Sequence, residues 1–196
     1  MGEGFSKAWD KIYNDNLHII SWPWTDLVSS VFCHCKDIII SRNGAVLELG
    51  CGSGPNIPFI QSLNMDYYGI EGSQTIVKSL HQKYPELTDK ILIGDFTNAD
   101  SFNNIPKIDI VIDRAAVTHN NLPAIQNSLK SCYSKLHNGG YFIGIDWFST
   151  KHTDFKLGVE STDKNTRINI EKGGLKNVGN VHFSDEKHIR SLFADY

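Results

Sequence analysis

The sequence predicts an α/β fold with a central, mainly parallel sheet and helices on both faces. Three observations carry this reading. Five short apolar stretches alternate with helix-like stretches between residues 43 and 148, the pattern of parallel strands joined by crossover helices. Glycines follow the first apolar stretch directly, in Gly50-Cys51-Gly52-Ser53-Gly54. The composition, 40% hydrophobic and 21% charged over 196 residues, suits one globular domain with a buried core.

The elements follow in order. Residues 5–14 read as a short helix with Trp9 and Tyr13 one turn apart on one face. Ser21-Trp22-Pro23-Trp24-Thr25-Asp26 reads as an aromatic turn, with Thr25 the N-cap of a helix over 26–38. Strands are expected over 45–49, 67–71, 90–94, 108–113 and 141–147. Helices are expected over 55–63, over 73–83 with Ser73 as cap, and over 122–136, the last closed by His137-Asn138-Gly139-Gly140. From 149 to 183 the pattern dissolves into a polar, Gly/Asn/Lys-rich segment, read as a lid or a disordered stretch. A last helix opens at Ser184 and runs to Phe193. The whole is read as a single domain, 1–196, with an N-terminal helical cap (1–42), a ligand-binding core (43–148), a polar lid (149–183) and a closing helix (184–196).

Several classes are disfavoured at once. The formal net charge is −3 and no Lys/Arg run occurs, which argues against nucleic acid as a partner. No apolar stretch is long enough to span a bilayer, and the first residues lack the apolar region of a signal peptide, so the expectation is a cytoplasmic protein. Four cysteines are too few and too scattered for a disulfide framework. Cys33-His34-Cys35 lacks the second ligand pair that zinc requires, so no metal is expected.

In sheets of this kind ligands bind beyond the carboxyl ends of the strands, and the residues there have matching chemistry. Gly50, Gly52 and Gly54 let the chain turn tightly and let a ligand approach the main chain. The next helix aims its N–H groups at the same space. Glu48, at the end of strand one, offers a charge suited to an ammonium group. Glu71 ends strand two, where a carboxylate can accept both hydrogen bonds of a ribose diol. Asp95 and Phe96 end strand three, suited to the amine and the face of an adenine ring.

The successive segments E-L-G-C-G-S-G, G-I-E-G, G-D-F, D-I-V-I-D-R-A and N-G-G-Y-F-I-G-I-D resemble the motifs of class I S-adenosylmethionine-dependent methyltransferases over residues 43–147. The resemblance implies a Rossmann-like methyltransferase fold with S-adenosyl-L-methionine as cofactor and S-adenosyl-L-homocysteine as product. It places the methionine moiety on Glu48, Gly50, Cys51, Gly52, Gly54 and Asn56, the ribose on Glu71 with Gly72 and Ser73, and the adenine on Asp95 and Phe96. The segment Asp113-Arg114-Ala115 would border cofactor and acceptor, and Trp9, Tyr13, Trp22 and Trp24 would cover the sulfonium, with cation–π attraction. The flanking segments W-x-x-I-Y, S-W-P-W-T-D-L-V-S and G-I-D-W-F-S are similar to bacterial enzymes that modify small molecules or surface polysaccharides. The family also carries two further strands after the helix at 184–193, one of them antiparallel. Their absence here implies an exposed fifth strand, and so a shortened chain or a homodimer.

His119, just past strand four, is the candidate general base. Asp146, ending strand five, could orient an acceptor hydroxyl or amine. Arg167 and His182 fall in or beside the polar segment as further candidates for substrate contact. The expected acceptor is a small polar metabolite, such as a sugar or a phosphorylated intermediate. Two rival readings are a nicotinamide dehydrogenase and an inactive cofactor-binding fragment. The first wants G-x-G-x-x-G, whereas here Gly50-x-Gly52 meets Pro55 and Gly52-x-Gly54 meets Ile57.

Overall fold

The computed structural model describes residues 20–41 and 43–196, so the helix expected over 5–14, with Trp9 and Tyr13, lies outside the described residues. The core is a five-stranded sheet in the order β3-β2-β1-β4-β5, formed by β1 (Ala45–Leu49), β2 (Asp66–Glu71), β3 (Ile91–Ile93), β4 (Ile108–Arg114) and β5 (Leu136–Ile145). Every pairing in it is parallel. Between the strands run α3 (Ile57–Ser62), α4 (Gln74–Lys83) and α5 (Leu122–Lys135). They are preceded by α1 (Thr25–His34) and α2 (Lys36–Ser41). This is the Rossmann-like α/β architecture that the sequence predicts.

Alternation along the strands explains the two layers. Val46, Ile110 and Ile112 face a cluster with Leu27 and Val31 of α1, Ile57 and Ile60 of α3 and Val77 and Leu80 of α4. Their neighbours Leu47, Leu49 and Val111 face the opposite cluster, with Ile125, Leu129 and Cys132 of α5. Because β1 and β4 are covered on both sides, they read as nearly continuous apolar runs.

Three boundaries differ from the sequence reading. The helix expected over 26–38 breaks at Cys35, which leaves the helical region (φ −109°, ψ 26°), and Trp24 rather than Thr25 takes the N-cap position, with no side-chain cap. One thiol of the Cys33-His34-Cys35 motif, Cys35, is packed inside while Cys33 is exposed, and no cluster of metal-ligating side chains occurs among the described residues. The stop expected at 137–140 instead belongs to β5, which begins at Leu136 and pairs with β4 through a register irregularity between Ile108 and Ile110.

The polar stretch 149–183 is ordered into a second sheet of β6 (Phe148–Ser149), β9 (Val181–Ser184), β8 (Thr166–Ile168) and β7 (Val159–Glu160), in that order. A buried chain of polar groups stands where an apolar run would have announced it. Asp163 accepts from the Leu122 and Thr166 backbone N–H groups and from the Thr166 hydroxyl, which lies 2.8 Å from His182 Nδ1. His182 Nε2 meets His188 Nε2, on α6 (Glu186–Leu192), at 2.9 Å. Burial pushes the His182 pKa down to about 4 and lowers that of His188 as well. His182 is thus fully buried in the second sheet, and Arg167 stacks on Phe155 at 4.0 Å. Neither side chain meets the cavity described below, contrary to expectation.

The five-stranded sheet ends at β5, as the sequence reading expects of an exposed fifth strand. Phe142 and Trp147 pack on Phe193, and Phe142 also meets Tyr196. No helix among the described residues is long and apolar enough to cross a membrane. Ile112→Ala, at a fully buried central-strand position, should cost about 2–5 kcal/mol of stability. Asn121→Ala should cost about 1 kcal/mol, since the Asn121 side chain accepts from the Ala124 N–H at the start of α5. Urea unfolding followed by circular dichroism measures both.

Candidate active site

The exits of β1 to β5 open into one cavity of about 730 Å³. Its floor is the loop after β1. Gly50, Gly52 and Gly54 there have φ of 60°, 51° and 71°, a region costly for residues with a Cβ. At Gly50 a Cβ would also lie 2.6 Å from that of Ala116. The loop is held from two sides. Glu71 accepts from the Gly52 N–H at 2.9 Å and from the Ser73 N–H at 2.8 Å. The Ser53 hydroxyl accepts from the Ile20 N–H at 3.0 Å and donates to the Ile20 carbonyl at 2.9 Å, tying the chain ahead of α1 to the cavity rim.

Glu48 reaches the cavity from the end of β1 while both its oxygens are engaged, by Asn56 Nδ2 at 2.8 Å and the Tyr67 hydroxyl at 2.7 Å. Burial raises its pKa to about 7 even against these two donors. Asp113, one strand over, is fully buried and is raised to about 6 for the same reason. It accepts from the Ala116 and Val117 N–H groups and from the Trp147 indole, so it shapes the β4 exit from behind. At the β3 exit, Asp95 Oδ1 accepts from the Thr97 N–H and hydroxyl at 2.9 and 2.7 Å, which fixes the carboxylate beside Phe96.

Ala115 and Asp146 stand at the ends of the adjacent strands β4 and β5, both in the left-handed region (φ 55° and 58°). Two such non-glycine residues side by side mark a strained rim. Arg114 Nε donates to Asp146 Oδ2 at 2.8 Å, and the guanidinium lies 3.4 Å from the Trp24 ring centre, so one cation joins β4, β5 and the N-cap of α1.

Beyond this rim the cavity runs under the second sheet. Its walls there are His119, Asn120, Phe148, His152, Leu175 and Val178. Asp154, buried, holds the roof by accepting from the Leu175 N–H at 2.9 Å. The Asn120 amide donates to the Ala116 and Val117 carbonyls and braces the turn that carries His119.

The structure therefore brings Glu48, Gly50, Cys51, Gly52, Glu71, Gly72, Asp95, Phe96, Arg114, Ala115, His119 and Asp146 to one cavity. Four expected residues stand behind its wall. Gly54 is packed against Ile57 and Leu80, the Asn56 amide donates to Glu48, Ser73 caps α4, and Asp113 is consumed by the β4 turn. Trp22 is 81% exposed and does not line the cavity, whereas Trp24, two residues on, does. Sequence reasoning missed Ser53, Phe148 and His152. His152 lies within the polar stretch 149–183, and only the folding of that stretch brings it to the site.

With this geometry in place, comparison with known proteins is decisive on class. A family described as "Methyltransferase domain" matches residues 47–144. The chain belongs to this family and is a methyltransferase. Solved structures share the fold. An S-adenosylmethionine-dependent methyltransferase from Clostridium acetobutylicum ATCC 824 is 13% identical, with 95% of this chain and 83% of that chain covered and a TM-score of 0.61. DesVI from Streptomyces venezuelae is 18% identical over 85% and 83%, at 0.54. A protein of Pyrococcus horikoshii OT3 is 14% identical over 88% and 82%, at 0.58. No curated protein matches the sequence significantly.

The buried carboxylates make stability depend on pH. Glu48 takes up a proton on folding between its ordinary value near 4.5 and about 7, so its neutral form contributes stability that is lost as pH rises through that window. Glu48→Gln should flatten that part of the profile, measured as the difference between the two proteins in urea unfolding from pH 4.5 to about 7. An unchanged slope would show that Glu48 is ionised throughout.

Proposed function

We propose that this methyltransferase uses S-adenosyl-L-methionine and methylates an oxygen or nitrogen atom of a small polar metabolite. The observation that carries the reading is the set of carboxylates at consecutive strand exits. Glu71 and Asp95 are held beside a glycine loop at which a Cβ would collide, and this donor set fits an adenosyl group with a charged methionine end. When bound, the cofactor supplies a methyl group on a sulfonium sulfur: the acceptor's lone pair bonds to that carbon, the C–S electron pair stays on sulfur to leave S-adenosyl-L-homocysteine, and the acceptor's proton departs.

The chain's own residues set up the rest. Glu71 and Asp95 hold the ribose and adenine, and Glu48 faces the ammonium group, which stabilises its ionised form. His119 accepts the proton, and Asp146 orients the acceptor through the Arg114 pair. Among the described residues, the cavity wall carries Glu48, Glu71, Asp95 and Asp146 against a single arginine that is itself paired. That balance supports an uncharged acceptor such as a sugar over a phosphorylated one or a nucleic acid. A link to surface-polysaccharide synthesis rests on the flanking segments alone.

Titration calorimetry with S-adenosyl-L-homocysteine and with NAD tests the assignment. Binding of the first and not the second is expected, and Asp95→Ala should weaken it about tenfold, as for a lost charged hydrogen bond. No binding of the homocysteine product would overturn the cofactor reading. His119→Ala should lower turnover of labelled methyl groups by ~10²–10⁴ while leaving that affinity unchanged. Equal losses in both would assign the ring a structural role.

A further inference from the structure

The region under the second sheet contains two imidazoles whose hydrogen bonds fix them in opposite tautomers. His119 Nδ1 lies 3.2 Å from the Asn180 carbonyl oxygen. A carbonyl only accepts, so the neutral ring carries its proton on Nδ1, and Nε2 holds a lone pair. His152 is the reverse. Its Nδ1 accepts from the Asp154 backbone N–H at 3.1 Å, so the neutral ring carries its proton on Nε2. Both rings line the same cavity and flank one aromatic side chain, with Phe148 5.7 Å from His119 and 6.2 Å from His152 between ring centres. Leu175 and Val178 complete an apolar wall.

We infer that His119 and His152 form a two-point reader of the methyl acceptor. His119 Nε2 accepts from the O–H or N–H that becomes methylated, His152 Nε2–H donates to a second oxygen of the same molecule, and an apolar ring face lies along Phe148. The acceptor class is thus an uncharged ring compound with a nucleophilic hydroxyl or amine and a separate carbonyl or ether oxygen. His152 acts as a binding and positioning residue, and the backbone of the segment 149–183 sets the polarity of the site through the Asn180 carbonyl and the Asp154 N–H. This deepens the methyltransferase reading and rests on it.

Long-range ¹⁵N–¹H spectra of the ¹⁵N-histidine-labelled chain test the tautomers directly, without turnover. The expected result is a proton on Nδ1 of His119, the rarer form in water, and on Nε2 of His152. The opposite form at either ring overturns the proposal. With S-adenosyl-L-homocysteine present, meta-hydroxyacetophenone should shift both imidazoles and bind roughly tenfold more tightly than phenol or acetophenone, each of which lacks one of the two groups. Equal affinity for all three, or no shift at either ring, would also overturn it. His152→Leu should abolish the advantage of the bifunctional probe, and His152→Gln, which keeps an N–H donor, should restore part of it. Both variants should leave affinity for the homocysteine product unchanged. Loss of that affinity in the unaltered protein would sink the cofactor assignment instead, with the tautomers still readable.

Discussion

Everything at the site depends on carboxylates taken out of water at the ends of parallel strands. A buried carboxylate is tolerated only when donors surround it, and the chain supplies them from the loops that must be shaped. Glu71 draws in the N–H groups of Gly52 and Ser73, Glu48 the side chains of Asn56 and Tyr67, and Asp113 the turn after β4 together with the Trp147 indole. The satisfaction of each acid is therefore also the construction of a loop. Residues the sequence motifs mark as ligand contacts divide accordingly. Some meet the cavity, while Asn56, Ser73 and Asp113 spend their polar atoms inside the protein so that others can.

Much of the core was legible because its signals are local. The strands β1 and β4, buried on both faces, appear as apolar runs, and the glycines after β1 stand where the backbone requires positive φ. The Ser73 cap occupies the position that turn chemistry demands. The second sheet was not legible, because its stability rests on contacts distant in sequence. Asp163 reaches Leu122 and His119 reaches Asn180, neither of which produces periodicity along 149–183. The exchange of Trp22 for Trp24 has a similar cause. Both are aromatic, and the partners that draw Trp24 inward, Arg114 and the apolar cluster around α1, lie far along the chain or across the fold.

The two ends of the cavity differ in electrical character. The part under β1 to β3 is acidic and built from tightly held backbone, with Glu48, Glu71 and Asp95 at its wall. The part under the second sheet has imidazoles, aromatic rings and aliphatic walls. Arg114 stands at the junction with its charge spent on Asp146 and Trp24.

The double hydrogen bond of Glu71 has a consequence for ligand energetics. Because it welds the glycine loop to the exit of β2 before any ligand arrives, little ordering entropy remains to be lost there on binding, and more of the contact energy appears as affinity. The same weld means that removing the carboxylate would loosen the floor as well as delete the ribose partner proposed above. A weakened affinity in such a variant would report the collapse of a scaffold as much as the loss of a contact.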